Sequence, residues 1–353
     1  MKEQRHLRTI LRGGAFAFIG AALMTEPALA QGAKVDGPEV KWTFSAYGTK
    51  RPGTSVFDHL VGMVDEQTGG KFKINLVYGE ALASVRETLD SVKIGAFEIG
   101  HVVGSFHPGK LPTANIFDLP FLPVGNLTVQ YKVALNYYKL PEVTADAARW
   151  NVYLLTPTLL PPYELAGKGK PPLSIADLKG MRIRAPGGMG AALKAVGVTP
   201  NNIPSPELYG ALERGMFDAL AFPFYAHGAY KTQDLVEWYT TNFELGILAT
   251  FAVVNLDKWN ALPPQYRDLV VSLVPKALER HVPDVKEGDE KILAILKARN
   301  VRAVTWPEAE HKKFIDMVAQ PVWDAWVADM TKQGYPGQKL LDFVLSEAKK
   351  SAS

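Results

Sequence analysis

Cysteine is absent from the 353 residues. That removes thiol nucleophiles, thiolate metal centres and disulfide scaffolds. Charge of one sign is scarce too: 39 Lys and Arg stand against 36 Asp and Glu, a formal +3. The first 30 residues hold four basic and two acidic groups, so the rest carries 35 against 34. A nucleic-acid binder needs a basic face, which this balance does not supply. After residue 30 no apolar run reaches the roughly 20 residues of a spanning helix. No repeat at a solenoid-like period is present. Catalytic motifs are missing as well. The seven histidines form no HExxH pattern, and the closest pair, His101 and His107, has no carboxylate at metal-ligand spacing. Val103-Gly104-Ser105-Phe106-His107 lacks the frame of a serine nucleophile elbow. Gly187-Gly188-Met189-Gly190 fails as a dinucleotide loop because Leu193 stands where glycine is required, and no Walker lysine follows. No catalytic group, metal or cofactor is expected. Small residues and free N–H groups at a helix start still favour an anion there.

What is present begins with an export signal. Lys2, Arg5, Arg8 and Arg12 precede the apolar stretch Gly13–Met24, and Ala28-Leu29-Ala30 is a small-x-small cleavage site before Gln31. This pattern predicts a signal peptide over residues 1–30, with the remainder exported to the periplasm.

The body alternates strand-like and helix-like segments. Strand patterns fall at Val40–Tyr47, Lys71–Tyr78 and Phe97–Val103, helix patterns at Ser55–Glu66 and Ser84–Ile94, with Gly69 suited to a left-handed C-cap. Asn151–Thr158, Met181–Ala185 and Phe217–Phe222 read as further strands and Met189–Val196 as a helix. Ser174 caps a short turn, and Ser205-Pro206-Glu207 reads as a helix start with a serine N-cap. From Pro263 the chain reads as helical, with Pro275 and Pro283 expected to break or kink it. The fold class is α/β with mixed sheets, two lobes and a helical C-terminal third. Leu160-Pro161-Pro162-Tyr163 suits a hinge, and ligands of such folds lie between lobes or at the carboxyl ends of strands.

One constellation carries more. In Leu178-Lys179-Gly180-Met181-Arg182-Ile183-Arg184, period-two alternation puts Arg182 and Arg184 on one side of a strand, and Arg184 ends it beside the glycine-rich turn. Such a guanidinium suits a bidentate carboxylate clamp. The spacing alone also fits a solvated arginine pair. Ala195–Pro200 and then Pro204-Ser205-Pro206-Glu207-Leu208-Tyr209-Gly210-Ala211-Leu212-Glu213-Arg214-Gly215, with Asp218 beyond, follow in order. With Val92–Gly100, Asp118-Leu119-Pro120-Phe121-Leu122 and Trp259-Asn260-Ala261-Leu262-Pro263-Pro264, this order resembles the solute-binding proteins of TRAP transporters, the DctP-type family. The resemblance spans nearly the whole chain after the signal. It implies a two-lobed Venus flytrap, with lobe I at 31–160 and about 248–290, and lobe II at 161–247 and about 291–345. It implies capture of an organic anion by a monomer, delivery to small and large membrane permease subunits, no catalysis, and Arg184 as the carboxylate clamp.

Members selective for sialic acid carry a second pocket arginine about twenty residues before the clamp, a place held here by Tyr163-Glu164-Leu165. The position where the family often has asparagine is Phe222, followed by Pro223, Phe224 and Tyr225, and the loop after Ile99 offers Ser105 and Phe106 rather than an acid. These exchanges replace polar groups by apolar ones. The expected ligand is a monocarboxylate with an apolar or aromatic body, its charge on Arg184 and its body against Phe222, Phe224, Tyr225, Tyr163 and Phe106. Glu164 is expected to accept from a ligand hydroxyl. C4-dicarboxylates and α-keto acids are alternative ligands, and a periplasmic sensor is an alternative destination.

Overall fold

The computed structural model describes residues 34–352. The signal peptide expected over residues 1–30 lies outside them.

Two sheets organise the chain. The first has the order β2-β1-β3-β10-β4, from β1 (Val40–Ser45), β2 (Phe72–Val77), β3 (Ile99–Val103), β4 (Val152–Pro157) and β10 (Thr250–Asn255). The second has the order β11-β9-β5-β8-β6-β7, from β5 (Glu164–Gly167), β6 (Arg182–Arg184), β7 (Thr199–Asn201), β8 (Ala219–Phe222), β9 (Trp238–Thr240) and β11 (Arg302–Val304). Both are mixed: β1 runs parallel to β2 and β3, while β10 is antiparallel to β3 and β4. In the second sheet β6 is parallel to β7 and β8, and β5 is antiparallel to β8 and β9.

Local chemistry explains the elements. Phe72 and Ile74 face the core while Lys73 and Asn75 are exposed, which is the alternation of a half-buried strand. The helix Ser55–Thr68 buries Val56, Phe57, Leu60, Met63 and Val64, and stops at Gly69 with φ 61°. The Ser174 side chain accepts from the Asp177 amide, as the sequence suggests. Ser205 departs from expectation. It makes no capping bond, the short turn Ser205–Glu207 precedes the helix Leu208–Glu213, and the Ser205 amide is turned to a tyrosine of the other lobe.

Each sheet has its own apolar core. Two chain segments cross between them side by side, one joining β4 to β5 and the other β9 to β10. They are tied by the Thr158 amide donating to the Thr250 carbonyl at 2.8 Å and the Tyr163 amide donating to the Gly246 carbonyl at 2.8 Å. The third crossing is one unbroken helix, Pro264–Ala298, with Pro275 and Pro283 inside it. Of the break or kink expected at those prolines, the break does not occur. Tyr266, Leu273 and Leu278 are anchored in the first core and Val285, Ile292 and Leu296 in the second, so packing at both ends outweighs the lost backbone bonds. The expected second-lobe segment 291–345 is divided. Val304, Phe314 and Val318 join the second core, whereas Met330, Leu340, Leu341 and Val344 join the first. The C-terminal helix Gly337–Ala352 therefore returns to the first lobe. No described helix is long and apolar enough to cross a membrane.

Candidate functional site

The lobes meet where β1, β3, β6 and β8 end. The first lobe contributes the loop after β1, with Tyr47 and Arg51, and Val103 at the end of β3. The crossing segments contribute Leu160, Tyr163, Leu248 and Thr250. The second lobe contributes Ser205, Phe222 and the helix Phe224–Ala229 with its C-cap Tyr230, which supply Tyr225, Ala226 and Tyr230. Within this ring lies about 290 Å³ of atom-free space, of which about 20 Å³ is open to a water-sized sphere. A roomier groove, with about 1480 Å³ of atom-free space, lies outside the first lobe, against Leu135, Ala148, Leu154, Val274 and Pro275. It gathers a single charged side chain among the described residues, Lys139, whereas the interlobe cavity is lined by the buried Arg51 guanidinium, with a second buried guanidinium, Arg184, against the Phe222 ring that borders it.

Arg184 is 1% exposed. Its Nε donates to the Ile203 carbonyl at 3.1 Å and its Nη1 to the Ala221 carbonyl at 3.4 Å, while its guanidinium sits 5.4 Å from the Phe222 ring centre. Burial pushes its pKa down, yet a guanidinium starts so high that it stays charged. Arg51 is 8% exposed. Its Nη1 donates to the carbonyls of Tyr47 at 2.9 Å and Thr49 at 2.8 Å, and it lies 5.6 Å from the Tyr47 ring and 5.7 Å from the Tyr230 ring. Neither arginine forms an ion pair with any acid among the described residues. A buried cation without a carboxylate is unfavourable, and backbone dipoles and ring faces offset that only in part. The cavity is thus electropositive and suited to an organic anion.

The surrounding groups are neutral. Burial raises the Tyr47 hydroxyl to about 12 and pushes Tyr163, Tyr225 and Tyr230 upward. His101, packed between the Tyr47 and Phe57 rings, is pushed well below the usual histidine range by burial and by Arg51.

The sequence-derived residues divide. Phe222, Tyr163 and Tyr225 line the cavity, and Arg184 lies beside it against the Phe222 ring. Phe106 stands behind them, 6.3 Å from the Tyr47 ring with the Arg86 guanidinium 5.0 Å from its own. The Ser105 carbonyl accepts from Asn202 across the lobes at 3.1 Å, and its Oγ is buried without a partner among the described residues. Phe224 is turned away onto Tyr239, with ring centres 5.6 Å apart. Glu164 also departs from expectation. Its carboxylate takes the Thr240 hydroxyl and the amides of Phe243, at 3.1 Å, and Glu244, at 3.2 Å, so its oxygens are committed to the second lobe. Burial raises its pKa and those donors hold the rise back. Arg182 is exposed and pairs with Asp218 at 2.5 Å, leaving Arg184 as the buried member of the strand pair.

Sequence reasoning passed over Arg51, Tyr47, Tyr230 and Ser205. The available signal was Tyr47-Gly48-Thr49-Lys50-Arg51-Pro52-Gly53, an arginine in a strand-to-helix loop between two glycines. Both glycines make room for the other lobe. A Cβ at Gly48, where φ is 67°, would stand 2.1 Å from the Tyr230 hydroxyl, and one at Gly53 would stand 2.1 Å from the Tyr225 hydroxyl.

Comparison with known proteins agrees with this architecture. Residues 48–329 match a family described as bacterial extracellular solute-binding protein, family 7, or DctP. The chain is 29% identical over 248 residues to a monocarboxylate 2-oxoacid-binding periplasmic protein of Nostoc sp., covering 66% of this chain and 64% of that protein. The fold is similar to a TRAP solute-binding protein from Rhodoferax ferrireducens in complex with copurified benzoate, with TM-score 0.79 and 21% identity over 89% of this chain and 98% of the other. It is also similar to a marine metagenome TRAP solute-binding protein specific for aromatic acid ligands, in complex with 3-hydroxybenzoate, with TM-score 0.80 and 19% identity over 90% of this chain and all 100% of the other.

Proposed function

The chain belongs to family 7 of the bacterial extracellular solute-binding proteins, the DctP family of TRAP transport, and we propose that it captures a monocarboxylate with an apolar or aromatic body between its lobes. The observation that carries this reading is the Arg184 guanidinium, buried at the carboxyl end of β6 beside the Phe222 and Tyr163 rings with no acidic partner among the described residues. A carboxylate there supplies the missing negative charge and a planar acceptor for a charge-assisted fork. The apolar body gains by leaving water against the rings. An acid of benzoate size needs more room than the cavity now offers, so the lobes part along the two crossing segments to admit it and shut around it. The bound form is handed to small and large permease subunits from the periplasm. The benzoate and 3-hydroxybenzoate held by the similar structures support the choice of ligand class.

Calorimetric titration with benzoate, pyruvate and succinate tests the reading. Binding of a monocarboxylate is expected, and binding of succinate alone overturns it. Lobe closure has its own test. Gly53→Ala sets a methyl against the buried Tyr225 ring, and overpacking of this kind costs about 1–3 kcal/mol, here drawn from the closed form. Affinity for the bound acid should fall about 5- to 150-fold, with the melting temperature of the free protein little changed. Undiminished affinity would show that the ligand is held without this contact.

A further inference from the structure

The crossing helix Pro264–Ala298 holds both lobes at one short stretch beside the cavity. Toward the first lobe, His281 Nδ1 lies 2.8 Å from Ser55 Oγ, and Asp284 Oδ2 lies 2.7 Å from His59 Nε2. Toward the second, Asp289 Oδ1 accepts from the Tyr225 amide at 2.7 Å, and a Cβ on Gly228 would stand 2.4 Å from Ile292 Cδ1. Gly288 lies between and faces both. A Cβ there would stand 2.6 Å from Pro52 Cγ of the first lobe and 3.0 Å from Tyr225 Cβ of the second. Asp284 to Ile292 is about 12 Å of helix, so the two sets of contacts are rigidly linked.

Of these contacts, the Asp289 bond bears on the cavity. Tyr225, Ala226 and Tyr230 line it, and they stand on the helix Phe224–Ala229 or at its C-cap. That helix has six residues, too few for its own hydrogen bonds to fix its axis. Pro223 at its N-cap makes no capping bond, so the first-turn amides need acceptors from elsewhere. The Ala226 amide turns back to the Pro223 carbonyl at 3.1 Å, whereas the Tyr225 amide takes the Asp289 carboxylate from the crossing helix. Asp289 is half-buried and forms no ion pair among the described residues. Burial raises its pKa to about 6, and the Tyr225 amide holds the rise back. A carboxylate drawn partly out of water without a cation is unfavourable, and what it secures is the backbone of a cavity residue. The opposite wall is close. Pro52 and Gly53 lie in the turn Pro52–Thr54, directly after Arg51, and a Cβ on Gly53 would stand 2.1 Å from the Tyr225 hydroxyl.

We propose that Asp289 is a positioning residue for ligand capture: it pins the first turn of the Tyr225 helix to the crossing helix and so sets where the second-lobe wall of the cavity meets the Pro52-Gly53 turn of the first lobe. Gly288 leaves the space in which the two walls meet. The inference rests on the reading of the interlobe cavity as the binding site, and it holds for any acid bound there.

Three variants separate the bond from the bulk of the side chain. Asp289→Asn keeps an acceptor oxygen, Asp289→Ala removes it, and Asp289→Leu removes it while filling the space. Hydrogen exchange of the free protein reads the junction without a ligand. With alanine or leucine, amides of residues 224–230 and of the facing loop 47–54 should exchange about 2- to 30-fold faster, the equivalent of a lost helix cap, and asparagine should restore both. Titration with whichever of benzoate, pyruvate and succinate binds the wild-type protein should show affinity about 2- to 30-fold weaker for alanine and leucine, and within about twofold of wild type for asparagine. A merely structural cap would speed exchange in 224–230 alone and leave affinity unmoved, and that result overturns the inference. An asparagine variant as impaired as the alanine one also overturns it. Affinity lost to Arg184→Lys but kept by all three Asp289 variants leaves the carboxylate clamp standing and removes Asp289 alone. Binding of succinate alone removes the proposed ligand class, and the Asp289 variants are then judged on succinate. If none of the three acids binds, unchanged exchange in loop 47–54 overturns the inference and the 2- to 30-fold rise supports it.

Discussion

Arg184→Lys should lower affinity for the captured acid by about 30- to 4,000-fold, the equivalent of the roughly 2–5 kcal/mol lost when a buried charge-assisted partner is truncated. The charge is kept, so the loss measures geometry. A guanidinium presents a planar fork with donors to spare: Nε is held by the Ile203 carbonyl and Nη1 by the Ala221 carbonyl, which fixes the plane in which a carboxylate is met. An ammonium on a shorter stem reaches neither anchor in the same plane and offers no fork. Titration with whichever acid binds the wild-type protein measures the effect, and circular dichroism shows whether the fold persists. An affinity within twofold of wild type would remove Arg184 from the site.

Asp118→Asn should change how stability depends on pH. Asp118 lies at the lobe boundary. Its Oδ1 accepts from the Ala249 amide at 2.6 Å, and a Cβ on Gly187 or Gly188 would stand 2.9 Å from its carboxyl group or 2.3 Å from its backbone oxygen. Burial raises its pKa from 3.8 to about 7. The folded chain therefore holds the proton more tightly than the unfolded one. The stabilisation is fully present below about pH 4 and is lost as pH rises toward 7. The loss approaches about 4 kcal/mol, from three units at 1.36 kcal/mol each. Asparagine keeps the acceptor oxygen and has no proton to lose. Urea unfolding of both proteins from pH 4 to 8 should show the variant gaining on wild type up to about pH 7 and then running parallel. Buried His227, lowered to about 3, and His107 and His281, lowered to about 4, pull in the opposite direction, destabilising the fold as pH falls below about 6.5. They are common to both proteins and cancel in the difference. A difference that stays constant over the range would mean that Asp118 is not protonated in the fold.

Much of the fold was legible because it is written in local periodicity. The alternation of Phe72 and Ile74, the apolar stripe from Val56 to Val64 and the glycine stop at Gly69 each depend on neighbours a few residues away. Arg184 was legible for the same reason: a strand, a guanidinium at its tip and a glycine-rich turn are contiguous. Where the reading failed, distant contacts decided. Glu164 adjoins Tyr163 in the chain, but the β5–β9 pairing brings it to Thr240, and the amides of Phe243 and Glu244 consume its oxygens. Pro275 and Pro283 break helices by local rules. Here two cores grip the same rod and hold it whole.

From the sequence alone came the exclusion of thiol and nucleic-acid chemistry, the two-lobed α/β plan, the family resemblance and one candidate arginine. Those follow from composition and from patterns spanning a few residues. Tertiary structure alone decided that a second buried arginine, Arg51, lines the cavity between the lobes, while Arg184 lies against the Phe222 ring that borders it. It also decided that the last helix belongs with the first lobe. Arg51 and Tyr230 lie far apart along the chain and meet only because the lobes close. A binding site assembled from both sides of a cleft leaves no periodic trace in either half.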